Sequence, residues 1–129
     1  MHPCTGWLLA ALASLTLACS SDSSGPTNGN GGGAVGTVTV GNIFFQSGHN
    51  GTTHPAVDTV PAGTAVTWTW TNTGSTPHSV QSEGTTTFTS SQTLTGSGKT
   101  YSVTFMTSGT YEYDCAVHGD AMSGTIVVQ

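Results

Sequence analysis

The stretch Tyr111-Glu-Tyr-Asp-Cys-Ala-Val-His-Gly-Asp-Ala-Met-Ser-Gly-Thr-Ile-Val-Val128 determines how the rest of the chain is interpreted. Tyr111, Tyr113 and Cys115 alternate with acidic residues, so they are predicted to share one face of an extended strand. A β-rich run resumes at residues 124–128. The pattern therefore predicts two strands joined by a short loop.

Three side chains of this stretch carry donor atoms for soft or borderline metals: the Cys115 thiolate, the His118 imidazole and the Met122 thioether. One more imidazole would complete a copper site of two His, one Cys and a weak axial Met. His78, in the segment Thr-Pro-His-Ser-Val, is the candidate. A buried Cys often serves only as a small hydrophobe, but a His three residues later and a Met seven residues later favour a ligand.

Cysteine usage supports the same interpretation. The chain has three cysteines, and Cys4 and Cys19 lie in or at the edge of a predicted N-terminal leader. The predicted domain therefore keeps only Cys115 and has no internal disulfide. A lone cysteine in an exported domain indicates a reactive thiol, an intermolecular link or a metal ligand.

Length and charge limit the function classes. A chain of 129 residues has room for one domain. Six acidic residues and a single basic one give a formal net charge of −5, which argues against a nucleic-acid partner. Thr and Val are frequent and favour strands, so the composition predicts an all-β fold.

The N-terminus predicts export. Residues 7–18 are apolar and too short to span a bilayer, so we expect residues 1–18 to be a signal peptide. The segment Leu-Thr-Leu-Ala-Cys19 resembles a bacterial lipoprotein processing site, which makes Cys19 a candidate for lipidation; the alternative is an ordinary cleaved leader. Residues 19–34 are rich in Ser and Gly and predict a flexible tether. We therefore expect a periplasmic or lipid-anchored monomer at the cell envelope, whose only membrane contact is a lipid on Cys19.

Alternation and turn residues predict seven to eight short strands. Val66, Trp68 and Trp70 alternate with threonines and give the clearest half-buried strand. The other predicted strands lie at residues 35–40 (with the apolar cluster 43–45 near its end), 56–60, 85–90, 101–105, 111–115 and 124–128. Many short strands separated by turn signals are typical of a Greek-key β-sandwich.

Residues 35–129 resemble the cupredoxins, the small blue copper family of plastocyanin, pseudoazurin and amicyanin. The resemblance depends on Val-Pro-Ala-Gly63 before the Trp-rich strand and on Pro77-His78-Ser79-Val80. Its most specific element is Cys-x-x-His-x-x-x-Met (residues 115–122) between two strands. The resemblance implies one copper ion that alternates between Cu(I) and Cu(II).

The family pattern also implies a role for each ligand. His78, Cys115 and His118 would be the equatorial ligands, and Met122 the axial one. His118 would lie in an apolar patch where redox partner proteins dock. The apolar neighbours expected around it are Val117, Ala121 and Pro77.

The sequence departs from the family pattern at three positions. Three residues separate His118 from Met122, whereas plastocyanins usually have four and amicyanin two. Ser79 stands where many members have an Asn that ties the two ligand loops together, so a weaker tie is expected. Asp114 occupies the place of a Tyr used for docking in plant plastocyanins, so that docking mode is not carried over.

Two further groups of polar residues have open roles. His49 and His54 would lie at the copper end and could tune the site, bind a second metal or meet a partner; the alternative is solvated loop histidines. Glu112, Asp114 and Asp120 would form an acidic docking patch or simply a solvated strand face.

The resemblance implies a one-electron carrier rather than an enzyme. The alternatives are a copper-delivery protein with little redox traffic, an enzyme domain, and a metal-free adhesive sandwich. A multicopper enzyme needs further domains and more His ligands, and a dinuclear copper centre needs a second bridging Cys.

Overall fold

Residues 34–129 are described by a computed structural model. The predicted signal peptide, Cys19 and all but the last residue of the predicted tether lie outside the described residues. Among residues 34–129 no helix is long and apolar enough to cross a membrane. The described strands, in chain order, are β1 (Thr37–Gly41), β2 (Phe44–Ser47), β3 (Ala56–Val60), β4 (Thr64–Trp70), β5 (Gln81–Glu83), β6 (Thr100–Phe105), β7 (Gly109–Cys115) and β8 (Gly119–Val128).

The eight strands form two four-stranded sheets, which confirms the predicted all-β sandwich. The first sheet has the order β2-β1-β4-β6 and the second the order β3-β8-β7-β5. The pairs β1–β4 and β3–β8 are parallel, and the other pairs are antiparallel. The β4 and β7 strands, which precede the two predicted ligand segments, therefore belong to opposite sheets.

The core lies between the two sheets and follows the predicted alternation. Val66, Trp68 and Trp70 of β4 are each 0% exposed. Tyr113 of β7 packs edge-on against Trp68, with ring centroids 5.3 Å apart. Burial of a large apolar side chain contributes about 1.5–3 kcal/mol, so these aromatic residues anchor the two sheets to each other.

Two local predictions were wrong. The predicted first strand is a hairpin of β1 and β2, because residues 42–43 form a turn in which Ile43 has a φ of 62°. Residues 85–90 are irregular rather than a strand. Hydroxyl groups compete there for backbone N–H groups: the Ser82 hydroxyl accepts from the Phe88 amide and the Ser90 hydroxyl accepts from the Ser82 amide, both at 3.0 Å.

One buried acid occupies the core among these apolar residues. Asp58 of β3 is 1% exposed, and its Oδ2 accepts the Gly36 amide N–H at 3.0 Å. Burial raises the pKa of Asp58 above the ordinary value of 3.8, while the Gly36 amide and the nearby His49 lower it in part. The folded protein therefore holds this proton more tightly than the unfolded chain does.

The raised pKa predicts how stability depends on pH. The contribution of Asp58 to the free energy of unfolding is fully present below pH 3.8 and is lost as the pH rises through the raised pKa. We expect the free energy of unfolding of the wild type minus that of Asp58→Asn to fall over this pH range. Urea denaturation at a series of pH values measures this difference, with Glu112→Gln as the control for losing an exposed carboxylate. A difference that is constant with pH would contradict the assignment.

Candidate metal centre

A tight turn at the end of β7 places Cys115 beside His118. The Cys115 carbonyl accepts the His118 amide N–H at 2.9 Å, which closes a turn of four residues. Gly119 follows with a φ of +55°, a conformation that glycine adopts without steric cost. The β7–β8 register also shifts between Asp114 and Cys115. Two residues separate Cys115 from His118, and this separation allows the turn to place the two side chains side by side.

A backbone clamp holds His78, which follows β4 through residues 71–77. The His78 amide donates to the Leu94 carbonyl at 2.9 Å, and the Leu94 amide donates to the His78 carbonyl at 2.8 Å. Two residues further on, the Val80 amide donates to the Ser91 hydroxyl at 2.8 Å. This segment is therefore fixed by its backbone before any metal binds.

The structure brings together the donor atoms of His78, Cys115 and His118, three of the four predicted ligands. The Cys115 Sγ lies 3.3 Å from His118 Nδ1 and 3.9 Å from His78 Nδ1. The donor atoms of the three residues all lie within 4.8 Å of one another. Nitrogen and sulfur ligands about 2.0–2.3 Å from one ion at a tetrahedral angle would be roughly 3.5 Å apart, so the group fits a single ion.

Burial differs between the donors. His78, Cys115 and Met122 are each 0% exposed, whereas His118 is only partly buried and its neighbour Val117 is 50% exposed. Burial, and next the neighbouring His118, lower the pKa of the His78 imidazole. A neutral imidazole is the form that binds metal.

Ser79 joins the two ligand segments. Its amide N–H donates to Cys115 Sγ at 3.4 Å, and its hydroxyl accepts the Ala116 amide N–H at 3.0 Å. Ser79 is 2% exposed, so water does not compete strongly for these bonds. The tie expected of an Asn at this position is present here with a hydroxyl group.

The chemistry of the donor set fits copper. Within the described residues, the Nδ1 atoms of both imidazoles face the thiol, and no other protein group bonds to them. The Nε2 atom of His78 is buried without a hydrogen-bond partner among the described residues. Met122 lies on β8 with its side chain fully buried, and its axial role stays a prediction.

The remaining polar candidates lie outside this group. His49 is partly buried in the β2–β3 connection, and His54 is exposed there with a φ of 53°. Among the residues that the structure describes, neither joins a cluster of three or more His, Cys, Asp or Glu side chains. The structure therefore lends no support to a second metal site at these histidines.

The predicted acidic residues do lie together, with one addition. Glu112, Asp114 and Asp120 line a groove of about 280 Å³ with Glu83. Burial, and then Glu83 and Asp120, raise the pKa of Asp114. Glu83 was missed because the short polar strand β5 has no apolar alternation; its register places Glu83 opposite Glu112. A docking role for this groove stays a prediction.

Leu94 and Ser91 are the other residues that the sequence did not reveal. Leu94 pairs with His78 through backbone atoms, and Ser91 bonds to Val80 through both its amide and its hydroxyl, over 11 to 16 residues of sequence. The pairing is an isolated β-bridge rather than a strand, so no alternation of apolar residues indicates it. The one related feature of the sequence is the hydroxyl-rich composition of residues 85–95, because Ser and Thr hydroxyls can bond to nearby backbone groups.

Comparison with known proteins identifies the family. A family model described as a cupredoxin-like domain matches residues 9–128. The chain belongs to the cupredoxin-like family. One copper ion is the cofactor of this family, and the cluster of two His and one Cys with a buried Met agrees with it. No curated protein matches the chain.

Solved structures of similar fold agree. A purple cupredoxin from Nitrosopumilus maritimus is 26% identical with a TM-score of 0.56, over 72% of this chain and 98% of that one. The oxidized P96G mutant of amicyanin is 27% identical with a TM-score of 0.56, over 75% of this chain and 83% of that one. A copper-containing nitrite reductase from Thermus scotoductus SA-01 is 24% identical with a TM-score of 0.54, and the match covers 74% of this cupredoxin but 22% of the enzyme. The fold thus also occurs within a larger enzyme.

The loop tie at Ser79 gives a testable prediction. Ser79→Ala removes the acceptor of the Ala116 amide, and loss of such supporting bonds typically lowers metal affinity by about 10- to 100-fold. We expect a decrease of this size in copper affinity, measured by competition with a chelator. Ser79→Asn should restore affinity, because the amide side chain can make the same tie.

Ser102→Ala is the matched control. It also removes one hydroxyl, but that hydroxyl bonds to Thr67 between β4 and β6, where it supports no ligand. Unchanged copper affinity in Ser79→Ala would show that the tie is not needed to hold the ligand loops.

Proposed function

We propose that this cupredoxin is a mononuclear type 1 copper protein that carries one electron at a time. The ligands in this proposal are His78, Cys115, His118 and Met122. The observation that carries it is the convergence of one thiol and two imidazole Nδ1 atoms at a buried point. The ion supplies the one-electron change between Cu(I) and Cu(II).

The donor set suits both oxidation states. Thiolate sulfur favours Cu(I), and the two imidazoles also accommodate Cu(II). The His78 clamp to Leu94 and the turn from Cys115 to His118 fix the ligand positions through backbone bonds. A site that is held in this way changes little between the two states, so electron transfer requires little rearrangement.

The exposure pattern supports one route for electrons. His118 is the only partly exposed residue of the proposed ligand set, and it lies between the exposed residues Val117 and Ala121 in sequence. Pro77, next to His78, is also partly exposed. In the proposal, redox partner proteins dock on this apolar surface and exchange electrons through the His118 ring. The protein acts as a monomer and has no enzymatic activity of its own.

The location and domain boundaries of the proposal come from the sequence. Residues 1–18 would be a signal peptide, residues 19–34 a tether that carries a lipid on Cys19, and residues 35–129 the copper domain. The protein would then work in the cell envelope. Mass spectrometry of the mature protein would identify the N-terminal residue and any lipid attached to it.

The colour of the copper-loaded protein tests the ligand set. A Cys thiolate bound to Cu(II) gives intense charge-transfer absorption, so we expect a blue protein that loses its colour in Cys115→Ser. Visible and electron paramagnetic resonance spectra measure this at full copper occupancy. The control His54→Ala alters an exposed imidazole of the β2–β3 connection and should keep the colour. A colourless wild type with copper bound would contradict the proposal.

Redox cycling separates an electron carrier from a copper-delivery protein. We expect the carrier to be reduced and reoxidised repeatedly with its copper retained. Transfer of the copper to an acceptor protein or chelator on reduction would instead support delivery. The outcome of redox cycling does not depend on the colour test, because the colour reports only which ligands bind the copper.

Met122 gives a separate prediction. In the proposal the buried Met122 thioether would be a weak axial donor that stabilises Cu(II), so Met122→Leu should keep the colour and raise the reduction potential. Potentiometric titration measures the change. Met106→Leu is the matched control, because Met106 is 73% exposed at the end of β6. A potential equal to that of the wild type would remove Met122 from the ligand set.

A further inference from the structure

Seven buried side-chain polar atoms of the described residues have no hydrogen-bond partner in the protein, and four of them belong to Tyr113 and its surroundings. These four are Trp68 Nε1, the Tyr113 hydroxyl, Asp58 Oδ1 and His49 Nδ1. Asp58 and Tyr113 are each 1% exposed, and Trp68 is 0% exposed. Buried polar groups in proteins are almost always paired with protein groups or with ordered water, so these atoms require an explanation.

The side chains that carry these atoms lie next to one another. The Tyr113 ring packs edge-on against Trp68 at a centroid distance of 5.3 Å. The Trp68 indole lies near hydrogen-bond distance of the Tyr113 hydroxyl without meeting the geometry of a hydrogen bond, and the Asp58 carboxylate is close enough to raise the pKa of that hydroxyl. His49 is close enough to Asp58 to influence the pKa of that carboxyl.

Gly124 leaves room for the Tyr113 ring to extend over β8. A Cβ atom at Gly124 would lie 2.2 Å from Tyr113 Cζ and 2.3 Å from the hydroxyl oxygen, so the ring lies directly over this glycine. Gly124 belongs to β8, which runs between β7 and β3, and it pairs with Tyr113 on one side and Ala56 on the other. The ring therefore extends across β8 towards β3, the strand that carries Asp58.

The bonding capacities of the four atoms are complementary to one water molecule. An indole N–H only donates, a phenol hydroxyl can donate, and a carboxylate only accepts. An imidazole nitrogen without its proton also accepts. A water molecule accepts two hydrogen bonds and donates two, and buried waters typically make about three bonds to otherwise unpaired groups.

We propose that this core binds one ordered water molecule between the two sheets. The water accepts from Trp68 Nε1 and from the Tyr113 hydroxyl, and it donates to Asp58 Oδ1 and His49 Nδ1. The Asp58 carboxylate completes the link, because its other oxygen accepts the Gly36 amide N–H at the start of the opposite sheet. Tyr113 lies two residues before Cys115 on the same strand face, so the water also supports the strand that carries the thiol.

A crystal structure of the copper-loaded wild type at high resolution tests the site directly. We expect a water peak within about 2.7–3.2 Å of at least three of the four atoms. A structure in which the Tyr113 hydroxyl bonds directly to Asp58 or Trp68, with no water peak there, would overturn the proposal.

Solution measurements on the Cu(I)-loaded protein provide a second test. Magnetic relaxation dispersion counts long-lived internal waters, and Tyr113→Phe is expected to lose the contribution of one of them. Tyr111→Phe is the matched control, since the Tyr111 hydroxyl donates to the Thr107 carbonyl at 2.8 Å and is already satisfied. An equal count in Tyr113→Phe and the wild type would contradict the site. If Tyr113→Phe does not fold, a cross-peak between water and the Trp68 indole N–H of the wild type decides the question, and its absence would overturn the proposal.

Discussion

The structure depends on one constraint: two segments 37 residues apart in sequence must meet at one buried sulfur atom. Without other contacts, each segment would become ordered only when the metal binds. The cost in conformational entropy would be about 1–2 kcal/mol for each residue fixed. Backbone bonds remove most of that cost here. The turn between Cys115 and His118 orders one segment, the bridge to Leu94 orders the other, and Ser79 joins the two. The site is therefore largely formed in the folded chain.

The sandwich makes this meeting feasible, because it brings the ends of two strands from opposite sheets to the same place. The β4 strand ends at Trp70 and the β7 strand at Cys115, and both of these side chains are fully buried. The loop between β4 and His78 is itself structured: the Thr73 carbonyl accepts the Thr76 amide, and the Gly74 carbonyl accepts the Gly96 amide, each at 3.1 Å. Backbone hydrogen bonds thus continue from the core to the segment that carries His78.

Local patterns were sufficient to predict the core and the pairing of Cys115 with His118, whereas His78 was expected as a ligand through the resemblance to the cupredoxins. The alternation of Val66, Trp68 and Trp70 follows from the two-residue period of a strand, and that period is visible in sequence. The Cys115 and His118 donors meet because of a four-residue turn, which is also a local feature. The bridge between His78 and Leu94 joins segments that no periodicity relates, so the sequence could not predict it.

The error at residues 85–90 has the same physical origin. Thr and Ser favour strands on average, but their hydroxyls can also bond to nearby backbone groups and replace the ladder. In this chain Ser82, Ser90 and Ser91 make such bonds, while Phe88 still packs against the core beside Trp68, with ring centroids 6.0 Å apart. Composition therefore identified a residue that packs on the core, but not the backbone conformation that delivers it.

The acidic groove is a feature that the fold itself does not need. Glu83 and Glu112 are directly opposite on adjacent antiparallel strands, and like charges in that arrangement destabilise a sheet. The raised pKa of Asp114 shows the same repulsion, after burial. The single basic residue of the chain, Lys99, precedes β6 in the other sheet, and no ion pair offsets these charges within the described residues. Surface fields of this kind act mainly on solubility and on association with other molecules, and the repulsion within the groove does not stabilise the sheet.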